Sequence, residues 1–169
     1  QNKGVIPDIR LVDIYNEEFG ERKAKNALKW DTIPTAPFKR EGSVQPYLAK
    51  LNQTSEQRVA TDPQFKYLET RKTLAKKSAD EKKVVLDIDQ RRAELIDLEK
   101  QTLDAENQRR AATGQPPYAN WESYQASIDA LVESRAKMKA HLRPPLPEEE
   151  AFITEAANVL LDYAALQGR

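Results

Sequence analysis

The side chains that could carry chemistry in this 169-residue chain are few. It has one histidine, His141, and no cysteine, so a Ser-His-Asp triad or a zinc centre would have to be assembled around a single imidazole. His141 falls near the end of the fourth predicted helix, where the helix dipole favours an imidazolium, and nothing nearby supplies a nucleophile or an orienting pair. Asp87, Asp89 and Asp97 raise the question of paired carboxylates, but only Asp87 and Asp89 would share a strand face, and no cleft is indicated. Glu148, Glu149 and Glu150 suit the positive end of a helix and are accompanied by no spaced oxygen-ligand loop. The chain carries no G-x-S-x-G, H-E-x-x-H, P-loop or G-x-G-x-x-G pattern. No catalytic residue, metal site or cofactor is therefore predicted.

Charge is the next possible instrument. Arg71, Lys72, Lys76, Lys77 and Lys82 lie in the basic stretch from Lys66 to Lys83, which could meet phosphates or an acidic protein surface but reads more simply as a solvated helix face. The whole chain balances 27 Lys and Arg against 27 Asp and Glu, without the basic excess of a dedicated nucleic-acid binder. Lys72, Lys76 and Lys77, with Trp121 and Tyr124 from an apolar helix face, are the candidate partner surface. A 39% hydrophobic share, 32% charged residues and a mean hydropathy of −0.77 predict a thin core and favour a binding or scaffolding module over an enzyme. No apolar run is long enough to span a bilayer, and no signal peptide is legible. With Gln1 at the start and Met138 as the only methionine, the chain reads as an excised or processed piece.

The elements follow from periodicity and punctuation, and the predicted fold is mainly α, with four to five helices. Residues 1–15 cluster β-branched side chains and predict a short N-terminal edge strand, since Pro7 cannot donate to a central ladder. Residues 16–42 show no period and read as an ordered linker pinned by Phe19, Leu28, Trp30, Ile33 and Phe38. From Ser43, a cap, the apolar positions Val44, Tyr47, Leu48, Leu51 and Val59 form one helix face. Asp62 followed by Pro63 predicts a second helix start, with Phe65, Leu68 and Leu74 inward and an end near Ser78. Alternation of Val84, Leu86 and Ile88 predicts a further short strand near 84–88. A polar helix over 90–112 stops at Thr113-Gly114 and Pro116-Pro117. A helix capped by Asn120 continues through Trp121, Tyr124, Ile128, Leu131, Val132 and Met138 to Leu142, making an antiparallel helical hairpin with its predecessor. Beyond Pro147 a last helix is expected to face inward with Phe152, Ile153, Ala156, Leu160 and Tyr163.

The first residues are the most specific. Lys3, Gly4, Val5, Pro7, Asp8 and Ile9, preceded by Gln1, resemble the Gln-x-Lys-Gly-Val-x-Pro-Asp-Ile pattern at the end of the catalytic core of carboxyl-terminal processing proteases. Asn26, Ala27, Leu28, Trp30, Asp31 and Ile33 are similar to an Asn-Ala-Leu-x-Trp-Asp-x-Ile segment of the large tail-specific proteases of Gram-negative bacteria. Asp62, Pro63 and Phe65 are similar to their Asp-Pro-x-Phe helix start. The resemblance covers about the first 70 residues and returns in the Ala/Asn/Leu/Asp-rich helix from Glu155 to Leu166, whereas residues 113–145 depart from the pattern.

The resemblance implies a periplasmic serine endoprotease that recognises nonpolar C-termini through a PDZ domain and cleaves with a Ser-Lys dyad. In that family both dyad residues precede the Lys-Gly-Val-x-Pro-Asp-Ile segment, so Lys3 is not the catalytic lysine. The implied organisation is a terminal core strand (1–15), the linker (16–42) and a non-catalytic C-terminal helical domain (43–169). An isolated core strand would lack its neighbours, so residues 1–15 are expected to pack poorly or to pair with another chain. The implied partners are the rest of the protease, its protein substrates and a tetratricopeptide-repeat lipoprotein adaptor. The competing reading is a free-standing helical adaptor whose hairpin, residues 90–142, docks partner helices. Steep salt dependence would instead mark a polyanion binder using Lys66 to Lys83.

Overall fold

Five α-helices carry the chain in its computed structural model, which describes residues 7–12, 26, 37, 44–81, 83 and 85–168, and no strand occurs among those residues. The mainly α prediction agrees. The Ser43 cap, Lys3, Gly4, Val5, Leu28, Trp30 and Asp31 lie outside the described residues.

A 3-10 turn, Gln45–Tyr47, places Pro46 where its missing N–H costs nothing and leads into α1, Leu48–Thr61. Helix α2, Pro63–Asp80, follows after a single residue, Asp62. The Asp62 N–H still donates to the Arg58 carbonyl of α1, at 3.0 Å. Its side-chain Oδ1 accepts from the N–H groups of Gln64, at 2.6 Å, and Phe65, at 3.3 Å, and Pro63 occupies the first helical position. Asp62→Ala should cost about 1 kcal/mol of stability, measured by urea unfolding, because two N–H groups lose their acceptor.

Helix α3, Ile88–Ala112, starts where the second strand was predicted. Asp87 accepts from the N–H groups of Asp89, at 3.0 Å, and Gln90, at 2.8 Å, so the local carboxylate nucleates a helix; no neighbouring strand among the described residues offers a ladder. Leu86, the middle of the proposed alternation, is 97% exposed. The N-terminal strand is also absent over residues 7–12. Within that stretch Leu11 and Val12 pack against the core on apolar cover that needs no ladder, while Pro7, Asp8 and Arg10 are exposed, and residues 1–6 and 13–15 lie outside the described residues.

The chain forms its main antiparallel hairpin from α2 and α3: Arg109 near the end of α3 reaches Gln64 at the start of α2. The α3–α4 pair predicted as a hairpin is also in contact, but less extensively. Helix α4, Trp121–Ala136, touches α3 after a turn in which Gly114 adopts φ 73°, the left-handed value expected of a helix-ending glycine. Asn107 grips that turn from both sides, donating from Nδ2 to the Tyr118 carbonyl at 3.0 Å and accepting its N–H at 2.7 Å. The fourth helix ends short of the predicted Leu142. Arg135 donates to the Pro144 carbonyl and pairs with Glu149 at 3.6 Å, drawing the connector back over the helix end. Met138 is left exposed, and His141 lies exposed in a separate 3-10 turn, Ala140–Leu142.

Helix α5, Pro147–Leu166, lies against α1 and α2. Phe65, Tyr67, Leu68, Ala105 and Ala151 form the core, with Leu11, Val12, Val59 and Phe152 packed on it. Phe65 and Phe152 meet edge-on at 5.8 Å, as do Tyr47 and Tyr163 at 5.6 Å. Of the predicted inward face of α5, Phe152 and Tyr163 do turn inward, but Ile153, Ala156 and Leu160 do not. Ala151 and Glu155 are buried while Ile153, Ala156 and Leu160 point to solvent, because Glu155 and Asp162 both bind Arg58 of α1 and that ion pair sets the rotation of the helix.

Candidate functional site

Polar residues inside this thin core are tied together in two groups. In the first, Arg58 of α1 donates from Nε and Nη2 to the Glu155 carboxylate at 3.0 and 2.8 Å, and from Nη1 to Asp162 at 2.7 Å. Burial alone would raise the Glu155 pKa, but the hydrogen bond and charge of Arg58 hold it below the ordinary carboxylate value.

The second group builds a cleft. Tyr67 of α2 is buried, and its hydroxyl accepts from Arg71 Nη1 at 2.9 Å, one helical turn on. Arg71 Nη1 also reaches Glu148 Oε1 at 3.1 Å, joining α2 to the first turn of α5. From the other side the Arg109 guanidinium lies 5.6 Å from the Tyr67 ring centroid, and Arg71 lies 5.8 Å from it. Arg109 is itself held by Glu106 in a two-pronged pair of 2.9 and 2.7 Å, both side chains buried. Burial pushes the Tyr67 phenol well above its usual value, although the Arg71 charge pulls the other way; Tyr124 is raised by burial too. For Arg71, burial opposes the cation, and the neighbouring Tyr67 and Glu148 more than offset it, so the guanidinium stays charged.

Opposite this polar wall stand Ile128, Leu131 and Val132 of α4 and Leu146 before α5, enclosing with Tyr67, Arg71, Glu106, Tyr124 and Glu148 a cleft of about 250 Å³. Its α4 wall is fixed by packing: Tyr124 meets Trp121 at 5.2 Å and Tyr118 at 5.5 Å, while the Tyr118 and Ser127 hydroxyls lie 2.8 Å apart. Asn120 and Ser123 cap the helix reciprocally. At the other end, Leu146 donates its N–H to Glu149 at 2.6 Å, fixing the start of α5. An aliphatic floor with a polar end suits an apolar side chain accompanied by a hydrogen-bonding group. The hydroxyls of Ser123 and Ser127 on α4 are engaged in structural hydrogen bonds.

The proposed partner surface is only partly brought together. Tyr124 lines the cleft and Trp121 supports it. Lys77 instead borders a second groove, between α2 and α3 with Leu74, Leu95 and Leu98, while Lys72 and Lys76 line neither. Among the family-motif residues, Asp62, Pro63 and Phe65 sit at the α1–α2 joint and in the core. Ile9 is half-buried along α1 beside Ser55 and Val59, and Pro7, Asp8 and Asn26 are exposed. Sequence reasoning missed Arg58, Tyr67, Glu106, Arg109 and Glu148 as a set. Glu106 and Arg109 stand three residues apart and were findable as a helical pair; the Arg71–Glu148 pairing spans 77 positions and left no local signal. Among the described residues, no group of three His, Cys, Asp or Glu side chains converges as a metal site would require, and no helix is long and apolar enough to cross a membrane.

Comparison with known proteins adds what geometry does not. Over 99 residues the sequence is 35% identical to the tail-specific protease of Haemophilus influenzae, an alignment that takes in 56% of this chain and spans only 14% of that relative's length. No solved structure matches. The family described as the C-terminal domain of tail specific protease matches residues 14–165, a range that includes residues 113–145, expected from the sequence to depart from the family's pattern. A match over nearly the whole chain, cleft included, decides the matter: the chain belongs to the family of C-terminal domains of tail-specific proteases.

Proposed function

We propose that this chain is the non-catalytic helical domain of a serine-type, periplasmic tail-specific endopeptidase, placed beside the protease core to help wall its substrate chamber and to dock partners. In this reading the core, with its PDZ domain and Ser-Lys dyad, selects nonpolar C-termini, and the cleft between α2, α4 and the start of α5 receives an apolar side chain of a helical partner such as a tetratricopeptide-repeat adaptor. One observation carries it. The ionisable groups that the described fold buries, Tyr67, Glu106, Arg109, Tyr124 and Glu155, are locked into packing and ion pairs between helices, which is how a scaffold uses charge, while the adjoining apolar cleft wall stays open.

Val132, on the cleft rim and exposed, offers the test. In the full-length protease, Val132→Asp should lower adaptor-dependent protein degradation about tenfold, the effect of losing one interface anchor, while hydrolysis of a short peptide with a nonpolar C-terminus is unchanged. The 169-residue chain alone should leave that peptide uncut. Peptide turnover by the chain alone, abolished by replacing one of its serines, overturns the reading, as does equal loss of both activities in the variant.

A further inference from the structure

Helix α5 is amphipathic the wrong way round for a free-standing bundle. Between Ala151 and Gly168 the only charged residues are Glu155 and Asp162, and both face α1, held by Arg58. The opposite face carries Ile153, Ala156, Ala157, Leu160 and Leu161, successive positions at helical spacing, with Ile153 58%, Leu160 66% and Leu161 68% exposed. An uninterrupted aliphatic stripe of this kind marks a surface made to be covered.

We infer that the Ile153–Leu160–Leu161 face of α5 is the surface by which this domain packs against an aliphatic patch on the protease portion of the same polypeptide. The inference rests on the proposed function and assigns it a surface distinct from the cleft. Three observations choose this occupant. The absence of charge along the stripe excludes a polar or ionic partner. The alignment to the tail-specific protease of Haemophilus influenzae spans 14% of that protein, so most of such a protease lies outside this fold. Finally, within residues 7–12, which resemble the end of the protease core, Leu11 and Val12 pack on the same core cluster to which α5 contributes Ala151.

Because the chain contains no cysteine, a single introduced thiol reports on that face. Leu160→Cys and Ile153→Cys, with Glu133→Cys on the exposed surface of α4 as control, are made in the 169-residue chain and in the full-length protease, and maleimide labelling is followed peptide by peptide by mass spectrometry. In the chain alone all three thiols should label at similar rates. In the full-length protease the two α5 thiols should slow by about tenfold or more while the control does not change, because labelling then requires the interface to open. Equal labelling of the α5 thiols in both proteins overturns the inference. Slow labelling in the chain alone also overturns it: light scattering then assigns the cover to a second copy, if dimeric, or to the chain itself, if monomeric. None of these readouts depends on the activity split at Val132, so the surface and the docking function fail separately.

Discussion

Arg58→Met should destabilise this chain by about 3 kcal/mol, seen as a lower urea midpoint with an unchanged slope. The size follows from what is left behind. The Glu155 side chain is 4% exposed and takes both a two-pronged hydrogen bond and its compensating charge from Arg58, so removing the guanidinium strands a carboxylate in the α1–α5 interface. Asp162 loses its partner too, but at 31% exposure it can turn to water and adds little. Replacing both members, Arg58→Met with Glu155→Leu, should recover most of the loss, since a well-packed apolar pair avoids the desolvation that makes the single change costly. The same pair predicts an acid response. Glu155 titrates below its ordinary value of 4.5 in the folded chain, so its contribution is complete above that pH and is lost as pH falls through the folded pKa. Stability measured from pH 6 downward should decline below about pH 4.5, and Glu155→Gln should flatten that part of the curve from a lower starting point.

Leu68→Ala should cost about 2–5 kcal/mol, measured in the same unfolding experiment. Leu68 is fully buried, at 0% exposure, in the cluster where α2 meets Ala105 of α3 and Ala151 of α5. The two alanines let the helix backbones approach closely, so the surroundings cannot collapse far into the vacated space, and the cost should fall in the upper half of that range. Leu68→Met, which conserves volume, should cost less than about 1.5 kcal/mol. With so few residues fully inside, α2 is the single element on which α1, α3 and α5 all depend.

Local punctuation was the legible part of this fold. Asp62-Pro63 and Asn120 name their helix starts because a short acceptor side chain two or three residues before orphan N–H groups has one dominant outcome. Gly114 names a stop for the complementary reason, its left-handed backbone. Asp87 carries the same signal, but the alternation of Val84, Leu86 and Ile88 points to a strand instead. A strand needs neighbours to satisfy it, and a cap needs only the next two residues. The rotation of α5 was illegible because apolar periodicity identifies a face without saying what lies opposite. The two acids seven residues apart, Glu155 and Asp162, in an otherwise uncharged helix were the clue, and only Arg58, about a hundred positions earlier, gives them meaning. The cleft was half visible. Tyr124 and Trp121 stand on a recognisable apolar face, whereas the Arg71–Glu148 link that closes the polar end joins segments with no sequence relation.

The shared residue at Asp62 also sets which lengths in this domain can drift. Since it ends one helix while starting the next, one extra residue anywhere between Leu51 and Phe65 would swing everything downstream by about 100° and turn Phe65 and Leu68 out of the interior. Relatives should therefore keep that stretch at constant length, and length variation should collect in the connector between α4 and α5, where residues 137–145 are all exposed and a changed loop disturbs no helix phase.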